Sequence, residues 1–178
     1  MDVWVFGYGS LVWRPGFVFE ESCFATLEGW RRSFQQGSPD HRGTLDAPGR
    51  VLTICPDSRA SCIGKAFRIL SGDWPGVFRY LEERESGGYQ ASEIEVQLER
   101  RKVRAWTWIA LPSNDNFVAN ESFKRTIDTI LSAVGTSGPN IDYVLNLDAA
   151  LTTAGIEDQE VSRYAVALRT RLSESSRD

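Results

Sequence analysis

The side chain best placed to do chemistry is Glu85. The stretch Trp74-Pro-Gly-Val-Phe-Arg-Tyr-Leu-Glu-Glu-Arg-Glu-Ser-Gly-Gly-Tyr89 reads as a helix, with Asp73 as its N-cap and Pro75 in the first turn. Gly87-Gly88 supplies a stop. At roughly 100° per residue, Val77, Phe78 and Leu81 share one face, with Trp74 nearby and with Arg79 and Glu83 opposite. Glu85 follows Leu81 by four and Val77 by eight, so it projects from the apolar stripe. A carboxylate there is costly to ionise without partners. On the helix itself the i−3 and i−4 places hold Glu82 and Leu81, and neither pairs with it. The helix alone leaves two readings open, a structural ion-pair member or a tuned general acid/base.

A second feature lies at the start of the chain. Val3-Trp-Val-Phe-Gly-Tyr8 reads as a strand and runs into Gly9-Ser10, then Leu11-Val12-Trp13-Arg14-Pro15-Gly16. Two glycines flanking a tyrosine at a strand end let the chain turn sharply and let a ligand approach closely. Successive N–H groups in such a turn form a concavity for a carboxylate or oxyanion; a β-bulge followed by an ordinary turn is the alternative. The run is not a dinucleotide fingerprint, because no third glycine opens a helix. His41 is the only histidine, which removes most zinc sites and most Ser-His-Asp arrangements. Cys23, Cys55 and Cys62 are odd in number, lack C-x-x-C spacing and are expected to be buried, reduced thiols. Carboxylates, lysine, tyrosine and backbone donors remain.

The elements that must position these groups follow from the rest of the chain. Strand-like pieces fall at Phe17–Phe19, Cys23–Leu27 and Trp30–Phe34, followed by a polar loop over Gln35–Thr44. Within that loop Arg42 either meets an anionic ligand or is solvated. Arg50–Cys55 and Ile63–Leu70 read as a hairpin joined through Pro56–Ser61. Glu93–Leu98 and Val103–Leu111 are further strands, with Trp106 and Trp108 on one face and Arg100-Arg-Lys102 as a solvated tip between them. Helices follow: Phe123, Ile127, Ile130, Leu131 and Val134 in one, closed by Gly135; Val144, Leu147 and Leu151 in the next, with Asn140 as N-cap; Val161, Tyr164, Ala165 and Leu168 in the last. Strands first and helices last make an α+β pattern, with a small, closed or nearly closed mixed β-barrel and helices packed outside.

The 178 residues suit a single domain, 1–178, with 173–178 as a frayed tail. A net charge of −4 argues against nucleic acid, and no apolar run nears the length of a membrane span. With no basic leader ahead of the first strand, the expected location is the cytoplasm. A monomer is expected.

Phe6-Gly-Tyr-Gly-Ser-Leu-Val-Trp13 resembles the signature loop of the γ-glutamylcyclotransferases, in particular the ChaC-like, glutathione-specific branch. Gln36-Gly-Ser-Pro-Asp-His-Arg-Gly-Thr44 with Pro48-Gly-Arg-Val51, Leu81-Glu-Glu-Arg-Glu-Ser-Gly-Gly-Tyr89, and Ser137-Gly-Pro-Asn140 with Tyr143 and Leu145 resemble further blocks of that branch, in order. The resemblance implies a reaction without cofactor or metal: cleavage of the γ-glutamyl amide of glutathione to 5-oxoproline and cysteinylglycine. It places the general acid/base at Glu85 and the γ-glutamyl cradle at Gly7, Tyr8, Gly9, Ser10, Leu11 and Val12, largely through main-chain amides. The only partner it implies is glutathione or a related γ-glutamyl peptide. Two alternatives remain open, a cyclotransferase for other γ-glutamyl amines or peptides and a non-catalytic γ-glutamyl-binding protein. Tyr89 is a further pocket candidate. Tryptophans at 106 and 108, where the branch carries a tyrosine, and the run Asn114–Asn120 depart from the pattern and bear on the leaving group.

Overall fold

A computed structural model describes residues 2–175. In chain order the elements are β1 (Val3–Gly7), a short 3₁₀ turn (Ser10–Val12), β2 (Glu21–Ser38), β3 (Gly49–Ile69), α1 (Trp74–Arg84), β4 (Tyr89–Gln97), β5 (Lys102–Ala110), α2 (Phe123–Ser132), β6 (Val134–Gly135), β7 (Gly138–Pro139), α3 (Asn140–Thr153) and α4 (Gln159–Ser175). Five strands close a barrel in the order β1-β3-β2-β4-β5. It is mixed: β1 runs antiparallel to β3, from Val3 opposite Ile69 to Gly7 opposite Lys65, and parallel to β5, with Trp4 opposite Ala105. Strands β4 and β5 form an antiparallel pair from Tyr89 opposite Ala110 to Gln97 opposite Lys102. The α+β barrel expected from the sequence is therefore what forms.

The chain divides into two compact units, one holding the residues up to Arg32 with Thr53–Asp115, the other Ser33–Leu52 with the residues from Asn116 onward. The first unit has its core at Val5, Leu11, Phe67, Ile69, Val77, Leu81 and Trp108, with Phe17, Trp74, Phe78, Tyr89 and Trp106 packed against it. Burying side chains of this size is worth about 1.5–3 kcal/mol each. The second unit buries Phe34, Ile127, Ile130, Val144, Leu147, Leu151, Tyr164 and Leu168, with the rings of Phe34 and Phe123 within 4.5 and 4.6 Å of Tyr164.

Several local expectations are corrected. Arg50–Cys55 and Ile63–Leu70 are not a hairpin; all but Leu70 belong to one strand, β3. The intervening Pro56–Ser61 contains no glycine, and none of its residues takes the positive φ that a tight hairpin turn requires. It reads as a loop because its side chains lie at least partly in solvent. Likewise Cys23–Leu27 and Trp30–Phe34 join in β2 through Gly29 at φ 79°, and that strand runs on to Ser38 into the supposed loop. Phe17–Phe19 is not a strand; these residues sit by their rings, Phe17 and Phe19 each edge-on to Phe67 at 5.3 and 5.1 Å.

Helix ends also differ from expectation. Asp73 makes no side-chain cap; its carbonyl simply accepts from the Val77 amide at 3.1 Å. Helix α2 stops at Ser132, before Val134, which opens the two-residue strand β6 instead. Asn140 does not cap α3. Fully buried, it accepts from the Arg50 amide at 2.6 Å through Oδ1 and donates to the Arg50 carbonyl at 2.9 Å through Nδ2. Residues 173–175 continue α4, and 176–178 lie outside the described residues. No described helix is long and apolar enough to cross a membrane.

Candidate active site

Strand β1 delivers its last residues to a turn held from several sides. The Phe6 carbonyl accepts from the Thr107 hydroxyl at 2.9 Å. Tyr8, 5% exposed, points inward, and its hydroxyl donates to the Trp108 carbonyl at 2.6 Å. The Tyr8 carbonyl in turn accepts from Arg32 Nε at 2.8 Å, while Nη2 of that buried arginine donates to the Ile63 carbonyl at 2.6 Å. Gly7 is required for closeness, since a Cβ there would overlap Leu11 Cβ.

Beyond Gly9 the chain makes one 3₁₀ turn, closed by Val12 N–H to the Gly9 carbonyl at 3.0 Å and Trp13 N–H to the Ser10 carbonyl at 3.3 Å. The amides of Ser10 and Leu11 therefore have no partner within the turn, as at any helical N-terminus. Leu11 and Val12 bury their side chains, at 7% and 4% exposure. Anchored this way, the turn leaves Ser10 half-buried, with its hydroxyl near the end of α1.

Helix α1 reaches that turn with its C-terminus. Glu85 is not inside the helix but its C-cap, with φ −97° and ψ 16° and its amide bonded to the Leu81 carbonyl at 2.9 Å. Its side chain is 19% exposed, below the buried Leu81 and Val77 of the apolar stripe. The expectation that nothing on the helix pairs with it is corrected, because Arg84 Nε lies 3.5 Å from Glu85 Oε1. A search at helical spacings overlooks this partner, since adjacent residues do not face each other inside a helix. Where the backbone leaves helical geometry at the cap, they do.

The same guanidinium extends further. Arg84 Nη2 donates to Ser10 Oγ at 2.9 Å, and Nη1 donates to the Pro15 carbonyl at 2.7 Å and to the Tyr80 hydroxyl at 3.0 Å. Ser10 and Glu85, 75 positions apart (85 minus 10), thus flank one cation whose side chain is 15% exposed. Residue spacing gave no sign of this link. The arginine directly before the glutamate was its only trace in the sequence.

The other singled-out residues divide plainly. Tyr89 opens β4 half-buried against the first core. Trp108 is buried and donates from Nε1 to Glu82 Oε1 at 2.7 Å, whereas Trp106 packs on Trp74 and Phe78 with centroids 6.0 and 5.6 Å away. In the Asn114–Asn120 run, Asn114 fills the space beside Gly88 (φ 113°), where a Cβ would clash with its Oδ1. Arg42 belongs to the second unit and is not solvated; it is 7% exposed, donates to the Pro139 carbonyl at 3.0 Å and lies over the Tyr143 ring.

Cys62 is buried as expected, but Cys23 is exposed, on an outward position of β2. Partial burial and then Glu21 push its thiol pKa up, which disfavours the nucleophilic thiolate. His41 has Ser137 Oγ 3.3 Å from Nδ1 and Asp40 Oδ2 3.7 Å from Nε2. With half-exposed side chains this is a surface contact rather than a desolvated triad. Among the described residues no cluster of three His, Cys, Asp or Glu side chains could hold a metal ion.

Residues 3–171 match the family model described as ChaC-like protein. The chain belongs to the ChaC-like family. Its curated relatives include γ-glutamylcyclotransferase 2-3 of Arabidopsis thaliana, 39% identical over 98% of this chain and 92% of that protein. The glutathione-specific γ-glutamylcyclotransferase 1 of Homo sapiens is 32% identical over 96% and 80%. Among solved structures, a γ-glutamylcyclotransferase specific to glutathione from yeast superposes with a TM-score of 0.90 at 26% identity, covering 95% of this chain and 96% of that one. The barrel and helices described above are thus the fold of this ChaC-like protein's relatives.

Proposed function

We propose that this ChaC-like protein is a γ-glutamylcyclotransferase that releases 5-oxoproline and cysteinylglycine from glutathione, with Glu85 as general acid/base. The observation that carries the reading is the convergence of a half-buried glutamate and a strand-end turn with unpaired amides on one site. Relatives named for this activity, matched over nearly the whole chain, support the choice of glutathione. The α-amine of the γ-glutamyl group attacks its own side-chain carbonyl and closes a five-membered lactam. The carboxylate of Glu85 takes the proton that the amine must lose and later returns it to the departing cysteinylglycine nitrogen.

Each contribution has a scale. General acid/base help is worth ~10²- to 10⁴-fold. The amides of Ser10 and Leu11, directed at the developing oxyanion, add roughly 10²- to 10³-fold per donor. Holding the γ-glutamyl chain folded for ring closure supplies the orientation term. The nucleophile belongs to the substrate, so a protein nucleophile is not needed. The deciding assay follows 5-oxoproline from reduced glutathione with purified protein; no release would remove the reading. A second reading, in which other γ-glutamyl amines are the substrates, is compatible with a 39%-identical plant relative named as a γ-glutamylcyclotransferase. Faster turnover of γ-glutamyl-alanine or γ-glutamyl-lysine than of glutathione would establish it.

A further inference from the structure

Arg84 makes four contacts that converge on the candidate site. It meets Ser10 Oγ at 2.9 Å, the Pro15 carbonyl at 2.7 Å, the Tyr80 hydroxyl at 3.0 Å and the Glu85 carboxylate at 3.5 Å. These partners come from both sides of the site: the 3₁₀ turn, the segment that follows it, and the end of α1. We infer that Arg84 is the positioning residue of this site, holding the Ser10 hydroxyl and the Glu85 carboxylate in register and orienting the Ser10 proton toward the ligand. The inference rests on the reading of Glu85 as acid/base.

Three features carry it. A guanidinium is a planar fork with five donors, so it can hold several acceptors at fixed angles where an ammonium, a flexible point charge, cannot. Arg84 has no acceptor of its own, so Ser10 Oγ must be the acceptor of their bond. The Ser10 hydroxyl proton is then left to another partner, and among the described residues it has none. In a half-buried position beside the unpaired amides of its own turn, that proton is a further donor for an oxygen of a bound γ-glutamyl group.

The surroundings hold the arginine still. Its guanidinium carbon lies 5.9 Å from the Tyr80 ring centre. Gly16, at φ 76°, lets the chain pass so close to Tyr80 that a Cβ would collide with the hydroxyl. Phe17 then packs on the same ring, with centroids 6.4 Å apart. The turn and the helix end are thereby fastened together through Arg84 and Tyr80, and Ser10 and Glu85 are positioned by the fastening.

The test compares wild type with Arg84→Met, Arg84→Lys, Ser10→Ala, the Ser10→Ala/Arg84→Met double variant and Glu85→Gln, measuring thermal unfolding together with kcat and KM for glutathione. Arg84→Met should fold and lose about 10²-fold in kcat, the effect of roughly an ångström of misplacement, with KM moving less. Arg84→Lys should not restore kcat. The double variant should lose much less than the product of the two single losses, because one residue acts through the other. Should Arg84→Met not fold, the lysine variant decides: a folded protein with wild-type kcat overturns the inference. So does wild-type turnover in Arg84→Met, or fully multiplicative losses in the double variant. If Glu85→Gln is inactive while the arginine variants keep wild-type rates, only the inference falls. If Glu85→Gln is fully active, or wild type releases no 5-oxoproline, the functional reading falls and takes the inference with it.

Discussion

At the scale of single residues, the structure separates side chains that hold the site from those that face it. Tyr8 sits in the middle of the signature octet yet turns its hydroxyl away, to the Trp108 carbonyl in β5. Tyr8→Phe should therefore cost about 1 kcal/mol of stability through one lost buried hydrogen bond. Its catalytic rate should change less than that of Ser10→Ala; a larger kinetic loss than in Ser10→Ala would show that the tyrosine hydroxyl serves the ligand. Leu11 and Val12 follow the same logic, with buried side chains; Leu11 offers a ligand its backbone amide, whereas the Val12 amide is bonded to the Gly9 carbonyl. The partial burial of Glu85 was legible from its place on the apolar stripe. Arg84 was not, because helical periodicity has no way to signal a contact made where the helix stops.

At the scale of elements, strand β1 and helix α1 were readable from their hydrophobic pattern, with Pro75 in the first turn of α1, although Asp73 does not cap it. The long strands β2 and β3 were not. A bent barrel strand passes in and out of solvent, and where both faces are wet its sequence looks like a turn; Pro56–Ser61 is the plainest case. Asn140 misled in another way: a residue type favoured at caps served as a clamp on the Arg50 backbone. Asn140→Ala should cost about 2 kcal/mol or more, since it leaves a buried donor and acceptor unpaired, and chemical denaturation would read it. The tightness of the first turn gives a further prediction. Gly7→Ala must displace Leu11, so kcat/KM should fall about 10²-fold, and an unimpaired variant would show that the turn tolerates a shift.

At the scale of the whole molecule, the candidate site draws its residues from the first unit, while the second carries a well-protected ion pair. Arg50 Nε and Nη2 meet the two oxygens of Glu121 at 2.8 Å each, with side chains 10% and 8% exposed. The hydrogen bonds from Arg50 hold the Glu121 carboxyl below its usual range, against an opposing effect of burial. A depressed carboxylate contributes stability that is complete above its unfolded value of about 4.3 and is lost as pH falls through its folded value. Wild-type melting temperature should thus drop below about pH 4.3, and Glu121→Gln should be destabilised near neutral pH with a shallower acid limb. Removing one partner of such a pair costs about 3–5 kcal/mol. The proposed reaction depends on Glu85, and its most direct measurement is 5-oxoproline release from reduced glutathione by wild type and by Glu85→Gln at matched folded concentration. Wild type should release it steadily and Glu85→Gln at a rate at least about 10²-fold lower, with unchanged thermal unfolding; equal rates would rule out Glu85 as the acid/base.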